Sequence, residues 1–129
     1  MVLDSSAILA ILLDEPERPS FAQLIEQDAT RLVSAATLVE VSIVIESRKG
    51  MAGRRLLERF LELTGAEVAP VTADQAARAC DAFRRWGKGR HPAGLNFGDV
   101  FAYALAEVTG EPLLFKGNDF ARTDIASAA

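Results

Sequence analysis

The sequence of 129 residues contains only one cysteine, Cys80, and one histidine, His91. A single cysteine excludes an intrachain disulfide, and because nothing else indicates an oxidising compartment, we expect a cytoplasmic protein. Neither residue has neighbours at the spacing of zinc ligands, so the sequence predicts no zinc site. We interpret His91 as a loop residue and Cys80 as a core or helix-surface thiol.

Several longer patterns are also missing. No apolar run approaches the roughly 20 residues that a membrane span needs. The apolar N-terminal stretch is interrupted by Asp4 and has no basic segment before it, so we interpret it as part of the fold rather than a signal peptide. Neither a G-x-x-x-x-G-K-[ST] loop nor a G-x-S-x-G motif occurs, which disfavours nucleoside triphosphates as substrates and acyl transfer as the reaction.

Acidic residues outnumber basic ones, with 18 Asp and Glu against 14 Lys and Arg and a net charge of −4. This balance argues against a protein that coats nucleic acid, but the distribution of the basic residues matters more than their sum. Ten of the fourteen fall into two segments, which are Arg48, Lys49, Arg54, Arg55 and Arg59, and Arg78, Arg84, Arg85, Lys88 and Arg90. Each segment alone is typical of a solvated helix face. We expect a phosphate-bearing partner only if both segments border one site.

Hydrophobic periodicity predicts short strands that alternate with helices. Strands are expected over 1–4, 31–35, 66–71 and 111–117, with a short last strand over 124–128. Helices are expected over 5–13, 16–27, 36–49, 52–65, 72–87 and 98–110, with Gly50 and Gly65 as helix ends. This alternation is typical of an α/β domain whose parallel sheet is covered by helices on both faces. We find no repeat or linker and expect a single domain over 1–129.

Four carboxylates occupy similar places in this pattern, at the ends of strands or the starts of helices. They are Asp4, Glu40, Asp99 and Asp119. In a parallel α/β sheet the strands end at one edge, the following helices begin there, and ligand crevices form at that edge. We therefore expect all four side chains to lie along the same edge of the sheet.

Each of these residues, taken alone, also has a purely structural interpretation. Asp4 could cap the helix that begins at the next residue. Thr37 and Glu40 have the T-x-x-E spacing of a capping box, in which Glu40 would bind backbone donors. Asp99 could cap a helix or lie in its first turn, where the helix dipole favours an anion, and Asp119 could be a turn residue. For any single residue the structural role is the favoured one.

The four carboxylates together are harder to explain structurally. Asp4 and Asp99 precede helices that are rich in apolar residues, where an ionised carboxylate is costly. If the crevice brings several carboxylates within about 4–5 Å, each pair repels by a few kcal/mol, and either protons or a cation must offset that repulsion. A set of oxygen ligands without His or Cys suits Mg²⁺ or Mn²⁺. Such sites typically act on phosphate esters.

Four segments resemble the successive motifs of PIN-domain proteins of the VapC toxin type. They are "MVLDSSAILAILLDEPE", "SAATLVEVSIVIE", "HPAGLNFGDVFAYALA" and "PLLFKGNDFARTDI", and the similarity runs from the first residue nearly to the last. The resemblance implies a three-layer α/β/α fold with a central, mostly parallel sheet of four to five strands. It also implies a Mg²⁺-dependent endoribonuclease, usually dimeric, that a small cognate antitoxin of the VapB type holds inactive.

The resemblance further implies roles for individual residues. The catalytic and metal-binding set of the family maps onto Asp4, Glu40, Asp99 and Asp119, with Asp124 as the competitor for the fourth place, and the supporting polar residues map onto Ser6 and onto Asn118 or Thr123. Asp4 and Asp99 would bind the principal metal ion directly. Glu40 would bind it through water or orient the attacking water. Asp119 would complete the cluster or help to hold a second ion.

Three alternatives remain open from the sequence. A Mg²⁺-dependent phosphatase or a nuclease acting on DNA could use a similar acidic site. A degenerate PIN domain could serve as a binding module, although none of the four acidic positions is missing. The basic residues Arg48, Lys49, Arg54 and Arg55 could attract RNA phosphates or could contact the antitoxin or a second copy of the chain.

Overall fold

Four very short strands form one parallel sheet at the centre of the computed structural model, which describes residues 1–129. They are β1 (Val2–Leu3), β2 (Leu32–Ser34), β3 (Glu67–Ala69) and β4 (Leu113–Leu114). Their order across the sheet is β3-β2-β1-β4, and all three pairings are parallel. The four principal strands predicted from the sequence are therefore present, each shorter than predicted.

The last predicted strand, over 124–128, is reduced to one parallel bridge between Leu113 and Ser127. Backbone N–H groups on either side of this bridge donate to side-chain hydroxyls two residues away. Ile125 N donates to the Thr123 hydroxyl at 3.2 Å, and Ala129 N donates to the Ser127 hydroxyl at 3.2 Å. Such local side-chain acceptors compete with a strand ladder, which explains why the predicted strand does not extend.

Five helices surround the sheet. They are α1 (Ser5–Leu12), α2 (Arg18–Gln27), α3 (Ala35–Thr64), α4 (Ala73–Trp86) and α5 (Asp99–Thr109), followed by a 3₁₀ turn at Phe120–Arg122. Two predicted helices are the two halves of α3, which is broken at Gly50, where φ is 58° and ψ is −142°. Only glycine adopts that conformation readily. The helix end predicted at Gly50 is therefore a sharp kink within α3. No helix combines the length and apolar composition needed to cross a bilayer.

Alternating side chains of the strands separate the core into two halves. On one face of the sheet, Leu3, Val33 and Leu114 pack against α1, α2 and α3. On the other face, Val2 and Leu113 pack against α4 and α5. The fold therefore has three layers, helices over sheet over helices, which confirms the predicted α/β/α architecture.

The strand order places a crevice beside β1. From β1 the chain continues to β2 and β3 on one side, whereas β4 pairs with the other side of β1. Ligands of open α/β sheets bind at such a reversal, outside the carboxyl ends of the strands. Asp4 directly follows β1, and Asp119 follows β4, so the topology brings the ends of both segments to this crevice.

Candidate active site

Asp4 is almost fully buried, with 2 % of its surface exposed, at the end of β1. It caps α1, since its Oδ2 accepts hydrogen bonds from the backbone nitrogen of Ser6 at 3.0 Å and from the Ser6 hydroxyl at 2.6 Å. Its other oxygen, Oδ1, is buried and has no hydrogen-bond partner. The capping role is therefore real, but it uses only one of the two carboxylate oxygens.

The surroundings of Asp4 favour its neutral form. Burial raises its pKa to about 7, although the hydrogen bonds from Ser6 act in the opposite direction. The negative charges of Asp99 and Glu40 raise the pKa further. Because no cationic side chain offsets these effects, the carboxylate either takes up a proton near neutral pH or requires a cation from outside the chain.

Ser6 connects the two strand ends that border the crevice. Its hydroxyl donates to Asp4 and accepts a hydrogen bond from the backbone nitrogen of Lys116 at 2.9 Å, just beyond β4. The ammonium of Lys116 does not join the acidic group, because it forms ion pairs with Glu15 and Glu17 at the turn between α1 and α2. The supporting role that the resemblance gives to Ser6 agrees with these contacts.

Asp99 is the first residue of α5 and is partly buried. Its Oδ2 accepts a hydrogen bond from the backbone nitrogen of Asn96 at 3.0 Å, and Asn96 Oδ1 accepts one from the backbone nitrogen of Asp99 at 2.9 Å. Burial raises the pKa of Asp99 to about 6 against the effect of the Asn96 bond, and the charges of Asp119 and Glu40 raise it as well. Asp99 thus has a first-turn role, and its burial beside other carboxylates disfavours its ionised form.

Glu40 is free of the capping role that the sequence allowed. The cap of α3 is Ser34, whose hydroxyl accepts a hydrogen bond from the backbone nitrogen of Ala36 at 3.3 Å. The helix begins directly after β2, so Thr37 lies inside it, and the capping box that the spacing of Thr37 and Glu40 allowed does not form. The Glu40 carboxylate lies against the backbone of Gly98, immediately before Asp99.

The two candidates for the fourth acidic position have different surroundings. Asp119 is exposed, makes no capping hydrogen bond, and its charge raises the pKa of Asp99. Asp124 instead accepts hydrogen bonds from the Tyr103 hydroxyl at 2.5 Å and from Arg85 Nη2 at 2.9 Å. Burial alone would raise the pKa of Asp124, but these two donors hold it below its ordinary value. The charge of Asp119 therefore acts on Asp99, whereas Asp124 is attached to Tyr103 and Arg85.

The side chains of the other supporting residues suggested by the resemblance form no hydrogen bond with Asp119. Asn118 is exposed, and the Thr123 hydroxyl donates to the carbonyl of Phe120 at 2.7 Å and accepts from Ile125 N. Thr123 thus shapes the local turn.

Mutual electrostatic effects connect the four predicted acidic residues, but the carboxylates are less tightly gathered than we expected. Asp4 responds to Asp99 and Glu40, and Asp99 responds to Glu40 and Asp119. No three His, Cys, Asp or Glu side chains of the chain converge closely enough to hold one ion together.

The donor set nevertheless fits a hard divalent cation. All members are carboxylates, and the buried Oδ1 of Asp4 lacks the partner that a buried oxygen normally has. Mg²⁺ and Mn²⁺ prefer oxygen ligands of this kind and usually keep several waters, so one or two protein carboxylates suffice to bind them.

The two basic segments differ in how many of their charges are free. In the second segment Arg78 pairs with Asp74 and Glu107, Arg84 with Asp81, and Arg85 with Asp124. Lys88 and Arg90 form no ion pair and are exposed in the loop that leads to Asp99. In the first segment only Arg54 is paired, with Glu58. Arg48 and Lys49 are free and exposed, but they lie next to the kink of α3, about 12 Å along the helix from Glu40.

Two residues near the site, Asn96 and Gly98, were missed in the sequence. Asn96 has the N-x-x-D spacing to Asp99, which resembles a capping box and could have indicated the pair. Gly98 contacts Glu40 across the fold, and no local pattern indicates this contact. Thr37 was considered only as a helix cap, and its hydroxyl is buried without a partner. The predictions for Cys80 and His91 are confirmed, since Cys80 is exposed on α4 and His91 lies in the loop against Trp86.

Comparison with known proteins agrees with this fold. The PIN domain family profile matches residues 1–126. The chain is 50% identical over 129 residues to ribonuclease VapC30 of Mycobacterium tuberculosis, covering 100% of this chain and 98% of that protein. It is also 50% identical over 127 residues to ribonuclease VapC of Mycolicibacterium smegmatis, covering 98% of each.

Solved structures match the fold at lower identity. The crystal structure of VapC20 of Mycobacterium tuberculosis, described as a toxin that cleaves the sarcin-ricin loop, superposes with a TM-score of 0.78 at 17% identity over 97% of this chain and 95% of that one. The structure of VapBC2 of Rickettsia felis, bound to a DNA fragment from its promoter, superposes with a TM-score of 0.76 at 14% identity. The match covers 98% of this chain and 94% of that one. With a family profile that spans nearly all residues and relatives identical at half of all positions, the chain belongs to the PIN-domain family as a ribonuclease toxin of the VapC type.

Proposed function

We propose that the chain is a Mg²⁺-dependent endoribonuclease that hydrolyses RNA phosphodiester bonds with a metal-activated water. The observation that carries this proposal is the unpartnered Oδ1 of Asp4, buried beside two further carboxylates that raise its pKa. A group with these properties has no structural use for its second oxygen, whereas a divalent cation would replace both the missing partner and the proton.

Asp4 and Asp99 are the residues that would hold the principal ion. Both are fixed in direction by hydrogen bonds to one oxygen, from Ser6 in the first case and from Asn96 in the second. Mg²⁺, for which Mn²⁺ could substitute, lowers the pKa of water and stabilises negative charge on phosphoryl oxygens when it is bound. The hydrogen bonds prepare the two carboxylates for this task without a large rearrangement.

Glu40 and Asp119 have the freedom that auxiliary ligands need. Neither side chain donates to or accepts from another residue, and Asp119 is exposed. We assign Glu40 to binding through water or to orienting the attacking water, and Asp119 to completing the cluster or to a second ion. Asp124 is left out of this set because Arg85 and Tyr103 already satisfy its carboxylate.

The experiment that tests this proposal compares three substrates. The purified chain is incubated with single-stranded RNA, with DNA of the same sequence and with a small phosphate ester, each in Mg²⁺, in Mn²⁺ and in excess chelator. We expect cleavage of RNA alone, lost on chelation and restored by either ion. Cleavage of DNA or of the ester at a similar rate would favour the nuclease or phosphatase alternative.

A degenerate PIN domain that only binds its partners would give a different result. Titration of the chain with Mg²⁺ or Mn²⁺ in a calorimeter, at a pH above 7, would then show no heat of binding in the wild type. We expect saturable binding that is lost in Asp4→Asn.

The RNA substrate requires cations near the acidic site, where it would otherwise be repelled. Lys88 and Arg90 are the free cations of the loop that precedes Asp99, and the guanidinium of Arg90 lies 5.9 Å above the ring of Phe83. They are therefore the side chains that we assign to the RNA backbone. We expect the enzyme to act in the cytoplasm.

The proposal includes two protein partners, a VapB-type antitoxin and a second copy of the chain. The solved structures similar to this chain include the VapBC2 complex and a toxin–antitoxin complex from Klebsiella pneumoniae. Large apolar side chains are exposed on this chain, among them Val39, Ile43, Met51, Leu63 and Phe97. Light scattering of the purified toxin tests for the homodimer, and co-purification with the product of a neighbouring gene tests for the antitoxin.

A further inference from the structure

Gly98 lies at a place where local structure does not require glycine. Its backbone angles, φ −67° and ψ −40°, are those of a right-handed helix, which every L-residue adopts. The turn is already closed by the reciprocal hydrogen bonds of Asn96 and Asp99, so no capping function falls to residue 98. Alanine would be preferred to glycine in such a conformation, because it loses less backbone entropy on folding.

The reason for glycine lies across the fold, on α3. A Cβ atom placed on Gly98 would lie 2.7 Å from Cδ and 2.9 Å from Oε1 of Glu40, and its contact with Oε2 would be closer still. The Glu40 carboxylate therefore fills the space that a side chain at position 98 would need. Because Gly98 directly precedes Asp99, this space is adjacent to one of the two proposed metal-binding aspartates.

We propose that Gly98 is a positioning residue, whose missing side chain lets the Glu40 carboxylate approach Asp99. The inference rests on the proposed function in one respect, since it takes Glu40 as a member of the metal site. Any side chain at position 98 would move Glu40 away from Asp99. It would leave Asp99 itself in place, because the Asn96 bonds that orient Asp99 do not involve residue 98.

The contact also indicates that the fold would tolerate the change. The atoms that a new Cβ would meet belong to the end of a flexible, partly exposed side chain rather than to the backbone. Gly53 provides a contrast, since a Cβ there would meet the backbone carbonyl carbon of Ile45 at 3.0 Å. Gly98→Ala should therefore fold, whereas Gly53→Ala forces one half of α3 away from the other.

Calorimetric titration with Mn²⁺ tests the proposal with four proteins, the wild type, Gly98→Ala, Glu40→Ala and the double variant. We expect Gly98→Ala to weaken Mn²⁺ binding by about tenfold to a hundredfold, the range found when a group that orients a ligand is lost. We expect the double variant to bind like Glu40→Ala, because there is then no carboxylate left to displace. Unchanged affinity in Gly98→Ala, or a double variant that loses the product of both factors, would overturn the proposal.

A crystal structure of Gly98→Ala provides a readout that does not depend on a metal ion. We expect every Glu40 atom to withdraw to at least the 3.4 Å of an ordinary contact with the new Cβ, while the hydrogen bonds between Asn96 and Asp99 persist. If the wild type binds no Mn²⁺, the proposed function fails, and this structure still decides the inference. An unmoved Glu40, or an Asp99 displaced instead, would contradict it.

Discussion

Asp4 and Asp124 both accept hydrogen bonds from neighbouring side chains, yet the pKa of Asp4 is raised and that of Asp124 is lowered. Asp4 is buried among other carboxylates, and its one supporting side chain is the neutral Ser6. Asp124 is half-exposed and paired with the cation of Arg85. Two residues of the same type thus have opposite properties, and the difference is whether the chain supplies the compensating positive charge itself.

The comparison gives each acidic group a function that follows from its surroundings. The group around Asp124 attaches the C-terminal segment to α4 and α5 through Arg85 and Tyr103. Asp4 caps α1 through one oxygen, but burial without a cationic partner disfavours its ionised form at neutral pH. Retaining an unfavourable arrangement of this kind is typical of a functional site, where strain or repulsion is relieved by the ligand.

The largest expected difference between the groups around Asp4 and Asp124 is in the rate of RNA cleavage. We expect Asp4→Asn and Asp99→Asn to lower the rate of RNA cleavage by about a thousandfold or more, because several kcal/mol of charge stabilisation depend on the cation they hold. Asp124→Asn should retain most of the activity. The measurement is single-turnover cleavage of a labelled RNA in Mg²⁺. Variants of Asp4 and Asp99 that fail to fold would instead establish capping as their main role.

The stability of Asp4→Asn should increase, although its activity is lost. Asp4→Asn keeps a capping oxygen but removes the buried charge, so we expect it to unfold at a higher urea concentration than the wild type at pH 8 without metal. The gain has an upper limit of roughly 4 kcal/mol, from a pKa raised from 3.8 to about 7. A lower urea midpoint for Asp4→Asn than for the wild type would contradict the account.

The pH dependence of stability follows from the same shifts. The folded-state pKa values of Asp4 and Asp99, about 7 and about 6, lie above their unfolded value of 3.8, so the folded state binds more protons between these limits. Stability without metal should therefore decrease by a few kcal/mol as the pH rises from about 4 to about 7. Urea unfolding across this range checks the sign, and Asp4→Asn should show a smaller decrease.

Asp124→Asn should destabilise the fold modestly. It removes the charge that accepts hydrogen bonds from Arg85 and Tyr103 in a half-exposed place, which is worth about 0.5–1.5 kcal/mol. The loss should be present above pH 4 and should shrink in acid, where the wild-type carboxylate is protonated too. Thermal unfolding of both proteins at pH 7 and pH 3 gives the comparison, and an increase in stability would count against the assignment.

The smallest effect concerns the two basic segments. Binding is measured in an Asp99→Asn background, in which we expect RNA to be bound but not cleaved. Replacing Lys88 and Arg90 by alanine should then reduce the salt dependence of RNA binding by about 1.4 in slope, or about 0.7 for each phosphate contact. The matched double variant of Arg48 and Lys49, which removes the same charge beside the kink of α3, should leave the slope unchanged. Equal reductions would mean that both segments contact RNA.

The sequence alone was sufficient for the order of the strands and helices, and it singled out four carboxylates as candidate site residues. Apolar periodicity and the turns between apolar segments carry that information locally, and a parallel sheet gathers strand ends whatever the details of packing. The cap of α3 was left open, because Ser34 and Thr37 are both good N-caps and the sequence cannot choose between them. The T-x-x-E spacing therefore allowed Glu40 a capping role that it does not have in the structure.

Contacts between distant residues could not be predicted in the same way. Asp124 is bound by Tyr103 and Arg85, which lie 21 and 39 residues away from it in the sequence. No sequence pattern connects these residues. The contact of Glu40 with Gly98 depends on how closely α3 approaches the start of α5. Such distances are set by the packing of the whole core rather than by any short stretch of residues.

The central claim is that Asp4 and its neighbours lack a positive charge that a divalent ion supplies. Urea unfolding at pH 8, with and without Mn²⁺ at about 100 times its dissociation constant, tests this most directly. The account predicts that the wild type gains about 2.7 kcal/mol and that Asp4→Asn gains nothing. An ion that leaves the wild type unchanged, or that stabilises both proteins equally, would contradict it.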